Sequence, residues 1–199
     1  MKNTIVLQSI DSPRRDTEWR IYLANKLAEK GISSIIGSKS AIRLIHMKSK
    51  NCIFLGRLDT NTGRTESDKR YIKEMEKNDT ALFFMHDEGA LYNKGHYEEY
   101  VRRIYPEDYF SKGTMKKVFF WGDSQKYIFK DSVYASKFCV TGFPRFDLCK
   151  PNYNFIDHFS TKDLHDEYGD FILVCGRFAA VNMVEDDPSA LGKRAFDIR

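Results

Sequence analysis

The chain has 199 residues, 42% of them hydrophobic and 30% charged, the balance of a chain that folds around a core rather than one that stays disordered. Lys and Arg number 32 against 28 Asp and Glu, and a net charge of +4 is too small and too scattered for a dedicated nucleic-acid binder. No apolar run approaches the ~20 residues of a membrane-spanning helix, and Ile5-Val6-Leu7 is too brief for a signal-peptide core, so a cytoplasmic location is expected.

Residues 4–8 (TIVLQ) read as a buried strand. Residues 16–30 read as a helix with Trp19, Tyr22, Leu23 and Leu27 on one face, a start capped by Asp16 or Thr17, and Gly31 at the C-cap. A strand at 33–37, a helix at 38–47 and a strand at 51–55 follow. After a polar loop at 56–64 come a charged helix at 66–77 and the most apolar strand, 80–85 (TALFFM). Residues 92–104 form a tyrosine-rich helix or loop, 117–121 a fifth strand, 124–129 the start of a helix, and 138–141 a sixth strand. Strand and helix thus alternate with short links. That order calls for an α/β domain with a mostly parallel sheet and helices on both faces, because parallel strands need crossover helices and bury both sides. The pattern stops at 150–169, which shows no clear period and reads as a linker. Residues 170–175 (DFILVC) then open a second α/β unit, so the division is 1–149, 150–169 and 170–199. Cys52, Cys139, Cys149 and Cys175 form no C-x-x-C and read as reduced, mostly buried thiols.

Ligands of such sheets bind outside the carboxyl ends of the strands, so the residues just after each strand are the candidates. His86-Asp87-Glu88-Gly89 follows the most apolar strand. A carboxylate there can serve as general base, nucleophile or cation ligand, although Asp and Gly are also ordinary turn residues. In Gly142-Phe143-Pro144-Arg145-Phe146-Asp147, Gly permits a sharp turn, Pro presets a helix start, and Arg145 can fork onto a carboxylate or phosphate. The competing reading pairs Arg145 with Asp147. Arg14, Arg15, Asp16 and Glu18 form a charged cluster after the first strand, where a helix N-terminus favours an anion; Lys39 and Arg57 border the same mouth. Gly122 allows close approach of a ligand or a neighbouring loop. The five histidines show no metal-ligand spacing. G-x-G-x-x-G and Walker A sequences are absent, as is G-x-S-x-G, which disfavours a dinucleotide enzyme, a P-loop NTPase and a serine hydrolase.

Several segments together carry a family likeness: L-A-x-x-L-A-x-x-G (Leu23, Ala24, Leu27, Ala28, Gly31), I-I-G (Ile35 to Gly37), D-E-G (Asp87 to Gly89), W-G-x-x-Q-K (Trp121 to Lys126) and V-T-G-x-P-R-F-D-L (Val140 to Leu148). The chain resembles the bacterial surface carbohydrate biosynthesis proteins, of lipopolysaccharide or capsule, with a glycosyltransferase-B-like (GT-B) fold. It departs from them at Phe143, where Asn is usual, and at Arg177-Phe178, where an Asn-Phe pair is usual. The resemblance implies two Rossmann-like domains with the site between them. This chain would supply the N-terminal, acceptor-facing domain and lack most of the donor domain. It implies a transferase moving a sugar from a nucleotide-sugar donor, CMP- or UDP-linked, to a glycan acceptor at the inner face of the cell membrane. No bound cofactor or metal is implied. Asp87 or Glu88 would be the catalytic carboxylate, with Arg14, Arg15, Gly89, Gly122, Gly142, Pro144, Arg145 and Asp147 lining the substrate site. An exposed interdomain face is expected to promote self-association. The alternatives are a non-catalytic carbohydrate- or nucleotide-binding module, a remnant of such an enzyme, or a sugar-nucleotide epimerase of the same architecture.

Overall fold

The computed structural model describes residues 4–58, 66–87, 95–105, 107–150, 153, 158–170 and 172. Its first strand, β1 (Ile5–Ile10), is buried along its middle four residues because it pairs on both sides. β2 (Ser33–Ser38) flanks it on one side and β3 (Ile53–Gly56) on the other. β4 (Ala81–Met85), β5 (Met115–Phe120) and β6 (Phe138–Val140) continue outward from β3. The sheet order is β2-β1-β3-β4-β5-β6, and every pairing is parallel. The chain therefore runs from β1 out to β2, then returns to the far side of β1 and proceeds the other way. The reversal falls between β1 and β3.

Right-handed crossovers turn that reversal into a change of face. The helix between β1 and β2, α1 (Pro13–Ala28), covers one face. The helices that follow, α2 (Lys39–Lys48), α3 (Glu66–Lys77), α4 (Tyr97–Ile104) and the short α5 (Asp123–Tyr127), belong to the other. Strand residues alternate accordingly. Leu7, Phe54, Leu82, Phe84, Val118 and Phe120 pack with Ile42, Ile72, Met75, Val101 and Ile104 in the larger core. Val6, Leu55 and Met85 pack with Trp19 and Phe143 in the smaller one. Phe143 precedes the single-turn helix α6 (Pro144–Asp147). Its ring stacks on Trp121 at 4.7 Å and meets Trp19 at 5.1 Å, so the end of β6 is bound to α1 across the sheet.

From β1 to β6 the element positions agree with the sequence reading except at ends. α1 begins at Pro13, three residues before the expected cap. Ser12 occupies the cap position but its side chain makes no capping bond. Asp16 Oδ2 instead reaches back to accept the backbone N–H groups of Asp11 (3.0 Å) and Ser12 (2.9 Å), and proline is well suited to the first turn. At the opposite, amino edge of the sheet, the buried His46 Nε2 lies 2.7 Å from Thr80 Oγ1 and ties the end of α2 to the start of β4.

The described thiols correct the expectation of mostly buried cysteines: Cys52 is buried, Cys139 half-buried and Cys149 exposed. The chain divides into two compact units, Met1–Asn154 and Phe155–Arg199. Within the first, Tyr153 Oη donates to Tyr22 Oη at 2.8 Å. The described part of the second holds a helix, α7 (His158–Tyr168), in the stretch where no period was found. Its described side chains, residues 163–168, are all exposed, so among them no buried stripe marks the helix. Of the strand expected at 170–175, only Asp170 and Ile172 are described, and neither is in a strand.

Candidate functional site

The reversal between β1 and β3 brings the loops after β1, β2, β3 and β4 to one edge, the place where sheets of this topology take ligands. Four charged side chains from those loops meet there: Asp11 after β1, Lys39 after β2, Arg57 after β3 and Asp87 after β4. Lys39 Nζ lies 2.8 Å from Asp11 Oδ1, Arg15 Nη2 donates to Asp11 Oδ2 at 3.2 Å, and Arg57 Nη2 donates to the same oxygen. Arg15 Nε also donates to Asp16 Oδ1 at 2.9 Å. Arg57 Nε sits 3.0 Å from Asp87 Oδ1, an ion pair out of line for a hydrogen bond, and Arg15 Nη2 stands 3.8 Å from Asp87 Oδ2.

These contacts set the carboxylates apart. The hydrogen bond from Lys39 is the largest influence on Asp11; partial burial opposes it, Arg57 and Arg15 reinforce it, and the carboxyl is lowered to about 2. Burial works to raise Asp16, but Arg15 and the N–H groups of Ser12 and Asp11 more than offset it and hold it below its ordinary value. Asp87 goes the other way. Burial pushes its carboxyl up, Asp16 adds to the rise, and the attraction of Arg57, Arg15 and Arg20 does not cancel it. Asp87, 6% exposed, is thus the one among the described carboxyls of this edge whose surroundings favour the protonated form over its ordinary balance.

Beneath the edge lies Arg20, 1% exposed. Its Nη1 donates to the Leu55 carbonyl at 2.9 Å, and its guanidinium lies over the Trp19 ring at 4.0 Å. Gly56 makes room for it. A Cβ there would meet Arg20 Nη2 at 3.3 Å, and the φ of +153° suits only glycine without strain. Burial lowers the Arg20 guanidinium to about 10, while Asp87 and Asp16 support its charge. On β1, the Gln8 amide is fully buried, and neither its nitrogen nor its oxygen has a hydrogen-bond partner among the described residues.

Of the candidates read from sequence, Asp87 and Arg15 join this cluster, together with Lys39 and Arg57. Arg14 is exposed and makes no ion pair among the described residues. Glu88 and Gly89 lie outside the described residues. Gly122 caps α5 in an extended conformation with open space where a Cβ would be, so neither its backbone nor crowding calls for glycine. Gly142 (φ +72°) and Pro144 shape the turn into α6. Arg145 is exposed, and the competing reading that pairs it with Asp147 is not borne out: Asp147 pairs with Lys150 at 2.5 Å. No described hydrogen bond or ion pair joins Gly142, Pro144, Arg145 or Asp147 to the charged cluster. His86 is also apart from it, its ring facing those of Phe84 and Tyr105.

Sequence reasoning passed over Arg20 and Gln8. Arg20 shares the spacing of Leu23 and Leu27, and Gln8 is a polar residue inside an apolar run, so each had a signal. A surface cavity of about 530 Å³ lies elsewhere, between α3 and the turn at Tyr109; it is lined largely by solvated charges such as Lys69, Lys73, Glu76 and Lys112. Among the described residues no cluster of His, Cys, Asp or Glu has the make-up of a metal site, and no helix is long and apolar enough to cross a membrane. The fold and the charged edge define an α/β domain of the doubly wound parallel class. The chain matches no protein-family model, and no curated protein or solved structure is similar enough to count as a match.

Proposed function

We propose that the chain is the acceptor-side domain of a glycosyltransferase of bacterial surface polysaccharide assembly, working in a two-domain GT-B-like arrangement, with Asp87 as the carboxylate that takes the proton from the acceptor hydroxyl. The observation that carries this reading is Asp87 itself. It is a buried acid at the carboxyl end of β4, raised by its surroundings and faced by Arg57 and Arg15. A general base works best when its proton affinity approaches that of the medium, and the two guanidinium groups stabilise the charge it carries before the proton arrives. The donor would be a CMP- or UDP-linked sugar, and the work would be done at the inner face of the membrane.

The protein, supplied with a donor-side domain that completes the two-domain arrangement, is to be incubated with CMP- and UDP-linked sugars and a surface glycan acceptor, with nucleotide release followed over time. Wild type is expected to release nucleotide in an acceptor-dependent way. Asp87→Asn is expected to slow that release by about 10²–10⁴-fold, the usual contribution of a positioned base. An undiminished rate in the Asn variant removes Asp87 from the mechanism. Calorimetric binding of the sugar nucleotide without release would make the chain a recognition module instead.

A further inference from the structure

We propose that Arg15, Lys39 and Arg57 form a binding site for a phosphoryl group, and that Asp11 is an internal stand-in for that group, to be displaced when a phosphorylated ligand arrives. The three cations come from the segments after three different strands, on both sides of the reversal between β1 and β3, yet they converge on a single carboxylate. Stability does not require that convergence. Ion pairs near the surface contribute about 0–1 kcal/mol each, and holding several long side chains in one place has an entropic cost. Asp11 is near the surface, with a third of its side chain exposed (32%), so an incoming ligand can reach it.

The two arginines are anchored independently of the Asp11 side chain. Asp16, itself bound to two backbone N–H groups, holds Arg15 at 2.9 Å. The buried Asp87 stands 3.0 Å from Arg57. If the Asp11 side chain turns out while its backbone N–H stays on Asp16, both guanidinium groups keep their anchors. A phosphate offers more acceptor oxygens and up to twice the charge of a carboxylate, and two arginine forks with one lysine match it well. The site stands on this geometry and does not rest on glycosyl transfer, so either can fail alone.

The test is a titration of the full chain with inorganic phosphate at constant ionic strength, followed by amide ¹H–¹⁵N spectra. Wild type is expected to show saturable shifts at the amides of Asp11, Lys39 and Arg57. Asp11→Asn is expected to bind about tenfold more tightly, having lost the competing charge, and Lys39→Gln about tenfold more weakly. Uridine monophosphate and glucose 1-phosphate are then compared, and the tighter of the two identifies the carrier as nucleotide or sugar. Absence of saturable shifts at these amides in both wild type and Asp11→Asn overturns the proposal, as does equal affinity in the two. Should Asp11→Asn fail to fold, unchanged phosphate affinity in Lys39→Gln overturns it as well.

Discussion

Asp87 is held where burial opposes its charge, and that has a thermodynamic sign. Its folded-state carboxyl is raised above the ordinary aspartate value of 3.8. Between those two values the native chain binds more protons than the unfolded one, so this group's contribution to stability is complete below 3.8 and is lost as pH rises through its folded value. Ionisation of Asp87 therefore weakens the fold relative to its protonated form. Asp87→Asn is expected to melt at a temperature equal to or above that of wild type at pH 7, with the gap closing as pH falls toward 4. Thermal unfolding followed by circular dichroism at a series of pH values checks this, and a variant that melts well below wild type at pH 7 would show the Arg57 pairing to outweigh burial. The same residue was legible in sequence because two acids and a glycine follow the most apolar run. Arg20 was harder to see. A charged side chain counts as solvent-facing in any pattern; the missing Cβ of Gly56, the Leu55 carbonyl and the Trp19 ring, with the charges of Asp87 and Asp16, explain how it stays inside.

Elements were legible wherever an apolar period was present. α3 has the expected bounds, and the strands fall within a few residues of theirs. The errors have local causes: a first-turn acid that caps backwards in α1, and described side chains that are all exposed in α7. Phe143 shows how one residue joins elements. It is 4% exposed between Trp121 and Trp19. Removing a buried Phe side chain costs about 3–5 kcal/mol, and an amide in its place adds an unsatisfied polar group. Phe143→Asn is accordingly expected to lose at least about 3 kcal/mol in urea unfolding. A loss under about 1 kcal/mol would mean that the two tryptophans close over the gap.

At the scale of the molecule, alternation of strand and helix announced a parallel sheet, but not which strand lies beside which. That order depends on the direction of each crossover, which no periodicity records, and the charged edge exists only because β2 and β3 settle on opposite sides of β1. Asp11, Lys39, Arg57 and Asp87 are 76 positions apart at their extremes in the chain, and their meeting could be suspected from the strand-end rule but not drawn. The placing of Phe143 has an optical corollary. The chain's two tryptophans both touch that one ring, Trp19 carries Arg20 on its face, and Trp121 Nε1 donates to the carbonyl of His86, the residue before Asp87. Indole emission, excited to the red of tyrosine, therefore reports on a single neighbourhood that adjoins the carboxyl edge. Adding phosphate should change its intensity with the same midpoint as the amide shifts, and a flat signal would show the trio to be insulated from events at the rim. The fold thus carries its own fluorescent gauge, with no dye to attach.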